Sequence, residues 1–553
     1  MKKYTKTILF TFIISIAVIV RFYKLGDAPA GLYLDEASLG YSAYSILETG
    51  KDEFGKILPI AFRSFSDFKT PIYTYILVPL IPVFGLTKFT VRFPSFILSI
   101  LTLFFLYLLI NEITPKKHSG PIAFLSMLLL AISPWHILFA RSAFECNIAL
   151  FFFTAGSFFF FKSLKIPKYL PLSAGFLAIS LIAYHAQRIL IPILGAILFV
   201  KYKSILTSKI HIRYLVLSIL VAIAILLPTI SIINTPGFLA RASGLNIFSQ
   251  ERPTTSGMIS DIPGNLNYLI NNRYYLLLKE FSSLYVAYFS PRNLFSLGDY
   301  DKRASYPELA TFFVWQLPFY LLGLYKLVKE KELKELRFFG LTYFLISPLP
   351  AAVTRDPYSS IRSLQMVIPL VIIISLGIYA CWQMLKSVLF KYTAIGAFLI
   401  IIIYSLTKLY SSVIILNEYH RAQEWNYGWQ DVAEFIKGKD SQTMFVVDTA
   451  RQGPYIELAF FLKHNPSKFQ KENFEVTPEE YYVKMDRRSS WNLGNVTIKP
   501  IEWGLDLNKK QFLIGDSLAI SDEQIKNHNL TLVKDILYPN KGIAFRIVET
   551  NPK

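Results

Sequence analysis

Two adjacent carboxylates, Asp35 and Glu36, lie in the stretch LYLDEASLGYSAY, directly after the first apolar segment of the chain. A carboxylate with a suitable pKa can take a proton from a nucleophile as a general base. The same pair would also stabilise the start of a following helix through its free N–H groups and its dipole. Capping and catalysis do not exclude each other, so the sequence leaves both readings open.

Further ionisable residues, several of them arginines, stand near the ends of other apolar segments. They are Asp67, Lys69, Arg92, Arg141, Glu145, His185, Arg188 and Arg362. Ionisable groups at membrane depth usually face a cavity and pair with each other or with a ligand. Arginine binds phosphate through several planar donors. Arg141 and Glu145 also have the i,i+4 spacing of a helical ion pair, so that pair has an equally good structural explanation.

The residue patterns indicate no resident cofactor. The only cysteines, Cys146 and Cys381, lie inside apolar segments, and no His/Cys cluster has metal-ligand spacing. Asp35 and Glu36 together offer carboxylates to a divalent cation, but no further ligand pattern indicates one. The sequence also shows no glycine-rich phosphate loop, so no pattern indicates a bound nucleotide.

The composition predicts a polytopic membrane protein. Of the 553 residues 53% are hydrophobic and only 17% charged, whereas a soluble chain carries about 25% charged residues. The net charge is +19, but lysine and arginine alternate with apolar segments instead of forming one basic arm. This distribution favours membrane topology signals over a nucleic-acid surface.

Eleven apolar segments are candidates for membrane-spanning helices. They lie near residues 7–21, 91–110, 120–140, 145–161, 169–184, 188–200, 214–233, 308–326, 338–353, 363–385 and 392–411. The first resembles a signal peptide but lacks a small-residue cleavage site, so we expect an uncleaved helix.

The distribution of lysine decides the topology. With a cytoplasmic N-terminus, the lysine-rich loops all fall inside only if residues 71–86 do not cross the membrane. Residues 22–90 then form one external loop with interfacial helices near 37–48 and 71–86. Residues 234–307 form a second external loop with a helix around 267–289.

The chain changes character near residue 412. Residues 1–411 are predicted to be the transmembrane domain, and residues 412–553, with mixed charge, a small soluble α/β domain outside the membrane. Helices are expected in WQDVAEFIKG and PYIELAFFLKH, and strands in TMFVVD, LTLVKDI and GIAFRIVE.

Six stretches in order over residues 1 to about 410 resemble one known group of enzymes. They read LYLDEASLGYSAYSILETGKDEFG, SFSDFKTPIYTYILVPLIPVFGL, FTVRFPSFI, SPWHILFARSAFECN, YFSPRNLFSLGDYDKRASYP and SIRSLQMVIPL. The chain resembles GT-C fold glycosyltransferases that use polyprenyl-phosphate sugars, in particular protein O-mannosyltransferases and lipid A aminoarabinose transferases. Together the stretches are specific to the fold group and carry no information on the substrate.

The resemblance implies roles for several residues. Asp35 matches the acidic residue taken as the catalytic base, with Glu36 beside it. Lys69 matches a lysine near the lipid phosphate, although Thr70 replaces the first proline of that Lys-Pro-Pro motif. The arginine of RLPS corresponds to Arg92, and a late external arginine that contacts phosphate corresponds to Arg362. Possible site-lining residues are Asp67, Arg141, Glu145, His185 and Arg188.

The implied activity is inverting transfer of a sugar from a polyprenyl-phosphate donor to an acceptor on the external face of the cell membrane. The expected partners are that donor, membrane lipids and a protein, lipid or glycan acceptor, without nucleic acid. A lipid or sugar transporter is the alternative from another class, but such proteins often show repeated halves, and none is visible here. A surface-glycan ligase or polymerase is the alternative among enzymes.

Overall fold

A computed structural model describes residues 3–65, 67–236, 273–354, 356–451, 453–473, 480–483 and 488–552. Most of the chain up to residue 421 is helical. Its first helices are α1 Lys3–Phe22, α2 Leu34–Thr49, α3 Pro71–Leu77, α4 Ile81–Phe84, α5 Lys88–Ile113, α6 Lys116–Ala131, α7 Pro134–Ala140, α8 Glu145–Ser163, α9 Leu170–Ala183, α10 Gln187–Leu206 and α11 Ile212–Ile230. The later helices of this part are Arg273–Ala287, Leu317–Lys329, Lys334–Ile346, Leu349–Ala352, Val367–Met384, Val388–Tyr410 and Asn417–Arg421.

All eleven predicted segments contain helix, but several helices are shorter than expected. By length and composition, seven helices in the described part of the chain are long and apolar enough to cross a membrane. The number becomes eight if α6 and α7, which are bent by 61°, form one span. Prolines account for the difference, because proline favours the first turn of a helix and disrupts its interior. Pro134 begins α7, and Pro318 stands in the first turn of a helix of only 13 residues.

The segment 71–86 forms two short helices, α3 and α4, of seven and four residues. At 1.5 Å per residue, neither approaches the roughly 30 Å of a bilayer core. Residues 37–48 fall within α2, and residues 273–287 of the third predicted interfacial helix are helical. Residues 237–272 of the second external loop lie outside the described residues.

The long helices are joined by small polar residues as well as by apolar packing. α8 packs between α5 and α9. Ser173 and Ser180 of α9 donate to backbone carbonyls of α8 at 2.8 Å, and Asn147 of α8 donates to the carbonyl of Ser95 at 2.9 Å. Side-chain hydrogen bonds of this kind hold helices together where the surrounding lipid is as apolar as the helices themselves.

A six-stranded sheet occupies the C-terminal part of the chain. The strands are β3 Phe445–Val447, β4 Trp491–Leu493, β5 Val496–Ile498, β6 Phe512–Gly515, β7 Thr531–Leu537 and β8 Ile543–Glu549, after a separate hairpin of β1 Phe62–Ser64 and β2 Asp67–Lys69. Their order is β4-β5-β3-β6-β8-β7, and only the β3–β5 and β3–β6 pairs are parallel. Helices of this part are Trp429–Lys437, Pro454–Leu462, Pro466–Asn473, Trp503–Asp506 and Asp522–Asn527. The predicted helices and strands of this region are present.

The C-terminal part packs directly on α2, the helix that begins with the acidic pair. The backbone of α2 comes so close to helix 454–462 that a β-carbon on Gly40 would lie 2.6 Å from Phe460. Gln470 donates to the carbonyl of Asp52 at 2.8 Å, just beyond the end of α2. The sheet region therefore covers and fixes one side of α2 and of the turn that follows it.

A buried carboxylate, Asp52, forms the polar centre of this contact. Its Oδ1 accepts the backbone N–H groups of Phe54 and Lys56, and its Oδ2 accepts the Tyr481 hydroxyl at 2.5 Å. These contacts are those of a residue that fixes a turn. Burial raises the pKa of Asp52 to about 6, although its hydrogen bonds and the charge of Arg63 oppose that shift.

We expect acid to stabilise the folded protein through Asp52. Between about pH 6 and about pH 4 the folded form holds a proton that the unfolded chain has lost, so this contribution to stability grows as the pH falls and is lost as it rises. The melting temperature of the wild type minus that of Asp52→Asn should therefore be higher at about pH 5 than at about pH 7.5. Thermal unfolding of both purified proteins at each pH measures it, and an unchanged difference would contradict the assignment.

Candidate active site

The start of α2 places Asp35 and Glu36 in the first helical turn, where the helix dipole favours negative charge. Tyr33 precedes the helix in extended conformation, and its backbone N–H donates to Glu36 Oε2 at 3.1 Å. This bond, from the backbone before the helix to the side chain of its third residue, is one of the two hydrogen bonds of a capping box. Successive residues of a helix point in different directions, so the two carboxylates have different surroundings.

Glu36 is fully buried and its two oxygens accept four hydrogen bonds. Besides Tyr33, the donors are the backbone N–H of Ala143 at 2.8 Å and two nitrogens of Arg92 at 3.0 and 2.9 Å. A buried carboxylate with these partners is a structural anchor. Its placement supports the capping role left open by the sequence and does not support the catalytic role predicted for Glu36.

Arg92 is equally buried and uses all five of its N–H groups. Two go to Glu36, and the others donate to the carbonyls of Leu25, Pro29 and Gly31 at 3.4, 2.9 and 2.5 Å. Since a guanidinium has five donors, none remains for a phosphate. Arg92 therefore holds the segment before α2, and its geometry does not fit the predicted phosphate-binding role.

A second buried arginine, Arg141, holds the same segment. Arg141 donates to four carbonyls, those of Val20, Arg21, Lys24 and Ala28, at 2.9 to 3.2 Å. These four bonds use all the N–H groups on the two terminal nitrogens of Arg141, so backbone carbonyls hold this guanidinium.

Arg21, which the sequence did not single out, donates to the carbonyls of Ala17, Leu130 and Ala131 and contacts His136 Nδ1 at 3.1 Å. Backbone carbonyls at and beyond the end of a helix have no partner within the helix, so when they are buried they need hydrogen-bond donors from elsewhere. Arg21, Arg92 and Arg141 provide them.

Asp35, by contrast, is accessible. Its side chain is 36% exposed, and Oδ1 lies 2.9 Å from the Nζ of Lys69, which is only 4% exposed. Lys69 also donates to the backbone carbonyl of Asp35 at 3.2 Å. Asp35 Oδ2 has no hydrogen-bond partner within the described ranges. The structure thus brings together the predicted base and a predicted phosphate ligand, 34 residues apart in the chain.

The hairpin β1–β2 carries Asp67 and Lys69 at the two ends of β2. The next residue, Thr70, donates its hydroxyl to the carbonyl of Ala183 at 2.8 Å. This bond places the turn between α9 and α10, with His185 and Arg188, beside the end of the hairpin. Glu145 is the first residue of α8 and is half-buried.

Arg303 is a further cationic residue near Asp35, and it was not identified from the sequence. Arg303 makes two hydrogen bonds with Asp301, Nε to Oδ1 at 2.9 Å and Nη2 to Oδ2 at 2.7 Å. Its Nη1 donates to the Tyr33 hydroxyl, and its guanidinium lies 4.7 Å from the centre of the Tyr33 ring. The only signal in the sequence is its place in the YFSPRNLFSLGDYDKRASYP stretch, which gives no hint of a partner 270 residues away.

Arg362 lies on the neighbouring loop, which is tied to the Arg303 loop by Asp299. The Asp299 carboxylate accepts the backbone N–H of Asp301 at 2.9 Å and that of Ser360 at 2.6 Å. Arg362 pairs with Asp356, donates to the Thr354 hydroxyl at 3.0 Å and is 26% exposed.

Both arginines affect the pKa of Asp301. Burial alone would raise the pKa of Asp301, but the hydrogen bonds and charge of Arg303, with the charge of Arg362, lower it below its usual value.

The open part of the site is a set of half-exposed ion pairs. Lys69 pairs with Asp35, Arg303 with Asp301 and Arg362 with Asp356. Such a surface can bind an anion and can accept a proton at Asp35. Within the described ranges, no group of three or more His, Cys, Asp or Glu side chains is arranged to hold a metal ion.

Comparison with known proteins defines the class. The sequence model of the family described as "Dolichyl-phosphate-mannose-protein mannosyltransferase" matches residues 68–232, less than half of the chain. No protein of curated function matches the sequence. The family match and the fold confirm the class predicted from the sequence, a membrane glycosyltransferase with the GT-C fold.

Solved structures share this fold. ArnT from Cupriavidus metallidurans in the apo state matches with a TM-score of 0.53 and 12% identity, over 99% of each chain. The same protein bound to undecaprenyl phosphate matches with a TM-score of 0.53 and 11% identity, over 98% of this chain and 99% of that one.

The archaeal oligosaccharyltransferase AglB from Archaeoglobus fulgidus, in complex with an inhibitory peptide and a dolichol-phosphate, has a TM-score of 0.49 and 13% identity. The alignment covers 93% of this chain and 69% of that one. At these identities the likeness to ArnT is one of fold.

Replacing Arg92 should destabilise the protein. Arg92→Met would leave the Glu36 charge buried without its cation, which costs about 3–5 kcal/mol in comparable sites. We expect a clearly lower melting temperature and less folded protein after purification. Arg213→Met, at an exposed arginine at the start of α11, is the control and should melt like the wild type. Equal melting temperatures for the two variants would contradict the anchoring role of Arg92.

Proposed function

We propose that this protein transfers a sugar from a polyprenyl-phosphate carrier to an acceptor hydroxyl or amine on the extracytoplasmic face of the cell membrane. The observation that carries the proposal is the 2.9 Å pair between the accessible Asp35 and the buried Lys69. It sets a proton acceptor next to a cation, in a cluster that also contains Arg303 and Arg362. The undecaprenyl phosphate bound to ArnT supports a lipid-linked phosphate as the donor of this fold.

Asp35 acts as the general base in this proposal. Its Oδ2 takes the acceptor proton while the acceptor oxygen or nitrogen attacks the anomeric carbon from the face opposite the phosphate. The bond between the anomeric carbon and the phosphate oxygen breaks with its electron pair going to that oxygen. One displacement inverts the anomeric configuration, through an oxocarbenium-like centre as in glycoside hydrolysis.

Cations at the donor phosphate stabilise the leaving group. The donor is a phosphodiester with one negative charge, and departure of the sugar leaves a phosphate monoester that carries more. Lys69 and Arg362 face this growing charge, and charge that develops in the transition state is where fixed cations contribute most. Burial of Lys69 in the protein limits its motion and strengthens its field.

The proposed topology follows from the lysine distribution. The N-terminus is cytoplasmic, residues 1–411 form the transferase domain, and residues 412–553 form an extracytoplasmic domain that covers α2. In this arrangement the site opens at the outer leaflet, where a lipid-borne phosphate arrives laterally and the acceptor arrives from outside.

Asp35→Asn should abolish transfer while leaving the fold and donor binding intact. Loss of a general base lowers rates by about 10²- to 10⁴-fold. The measurement offers radiolabelled polyprenyl-phosphate sugars to membranes with and without the protein, and identifies what becomes labelled. Asp27→Asn, at an exposed carboxylate earlier in the same loop, is the control. Near-wild-type turnover of Asp35→Asn would remove Asp35 from the role of base.

Arg362→Ala should weaken donor use. Loss of one charge-assisted contact is worth about 1.5–3 kcal/mol, so kcat/KM for the donor should fall by about 10- to 100-fold, with KM for the acceptor little changed. Arg213→Ala, at an exposed arginine distant in sequence, serves as the control. If donor kinetics of Arg362→Ala match those of the control, Arg362 does not contact the donor.

A further inference from the structure

The described residues contain one arginine beside Asp35 with hydrogen-bonding capacity to spare. Arg303 spends two N–H groups on Asp301 and one on the Tyr33 hydroxyl. A guanidinium has five, so two N–H groups, one on each terminal nitrogen, have no partner within the described ranges. The side chain is 34% exposed, which leaves these two groups within reach of a ligand.

Arg92 and Arg303 both approach the start of α2, but they differ in burial and in hydrogen bonding. Arg92 is fully buried and all five of its donors are occupied. Arg303 is accessible, fixed in position by Asp301, and incompletely bonded. The first has the properties of an anchor and the second those of a ligand-binding group.

Tyr33 adds a further donor at the same place. Its hydroxyl oxygen accepts from Arg303, so the hydroxyl proton is available to another acceptor. Burial and then the charge of Asp35 raise the pKa of Tyr33 above its usual value, so the hydroxyl keeps that proton. The ring packs edge-on against Trp425 with 6.3 Å between centroids, and this contact limits its motion.

Arg303 also stays charged and within electrostatic reach of the base. Burial alone would lower its pKa, but the bonds to Asp301 and the negative charges around it, including that of Asp35, raise the pKa above its usual value. The group is therefore a permanent cation that contacts Tyr33 and interacts electrostatically with Asp35, while Lys69 pairs directly with the Asp35 carboxylate.

We propose that Arg303 and Tyr33 complete the donor-phosphate site together with Lys69, and bind phosphate oxygens through the two remaining N–H groups and the tyrosine hydroxyl. Arg303 takes the part that the sequence suggested for Arg92. A guanidinium with two N–H groups to spare supplies a phosphate with both charge and directed hydrogen bonds. This assignment rests on the proposed function, because it takes the anion to be a lipid-linked phosphate.

Direct binding tests the assignment without any transfer reaction. The purified full-length protein in detergent is titrated with undecaprenyl phosphate and, separately, with undecaprenol, which has the same chain and no phosphate. For Arg303→Gln we expect undecaprenyl phosphate affinity to fall about 10- to 100-fold, and undecaprenol affinity to stay unchanged. Tyr33→Phe, which keeps the ring, should lose about 2- to 10-fold in phosphate affinity only.

Two further variants separate binding from folding. Lys302→Gln changes the neighbouring cation, which is 59% exposed and pairs with Glu424 at 3.1 Å, and should bind undecaprenyl phosphate like the wild type. Arg303→Lys keeps the charge with Asp301 and should fold even if Arg303→Gln does not, with phosphate affinity between wild type and Gln. The assignment would be overturned if Arg303→Lys bound undecaprenyl phosphate with wild-type affinity and either Arg303→Gln or Tyr33→Phe did so as well.

The failure of this inference differs from failure of the proposed function. If the wild-type protein prefers undecaprenyl phosphate over undecaprenol and the Arg303 variants keep that preference, only the assignment of Arg303 and Tyr33 is disproved. If the wild type shows no preference for the phosphate, the lipid-phosphate donor falls as well, and the inference with it.

Discussion

The ion pair between Glu36 and Arg92 is the constraint on which the candidate site depends. It is buried, it satisfies the start of α2, and through Arg92 it also holds the carbonyls of the preceding segment. Breaking a buried pair of this kind is costly because the remaining charge has no solvent. Asp35 owes its position to this anchor: the residue next to it is fixed on all sides, so the first turn presents Asp35 outward in one orientation.

The same constraint explains why the C-terminal part packs where it does. Gly31 lies against the backbone of Trp425, where a β-carbon would be 1.7 Å from the carbonyl oxygen, so no side chain fits between them. On the far side, Tyr481 and Gln470 hold the turn that follows α2. The helix is thus fixed at its start by arginines of the membrane part and at its end by residues of the sheet part. The C-terminal part of the chain therefore helps to keep α2, the helix that carries Asp35, in place.

Much of this architecture could be predicted from the sequence, because it follows from apolar length, charge distribution and strand alternation. The long helices of the first 411 residues, the helices 429–437 and 454–462, and the strands β3, β7 and β8 were expected where they occur. The strands β4, β5 and β6, of three or four residues each, were missed because so short a strand shows no alternation. β3 is equally short and was predicted from the apolar, β-branched run FVV. The number of long spans was overestimated because prolines such as Pro134 divide apolar runs that hydropathy alone reads as continuous.

The site was predictable in residue type but not in role. Asp35 and Lys69 were singled out and the fold brings them together. Arg92 was predicted to bind phosphate and Arg141 to line the site. Instead, Glu36 and backbone carbonyls take all five N–H groups of Arg92, and backbone carbonyls take the terminal nitrogens of Arg141. No sequence pattern reports how many donors a side chain has left. Arg303 could not be found because its neighbours Tyr33 and Asp35 are distant in the chain and adjacent only in the folded protein.

The central claim is that a lipid-linked phosphate binds between Lys69 and the Tyr33–Arg303 pair, next to Asp35. An experimental structure of the full-length protein with undecaprenyl phosphate bound tests it most directly. The account predicts the phosphate within hydrogen-bonding distance of Lys69 Nζ and the Arg303 guanidinium, with Arg92 still bonded to Glu36. A phosphate bound to Arg92, or bound away from Lys69 while Lys69 remains paired with Asp35, would contradict it.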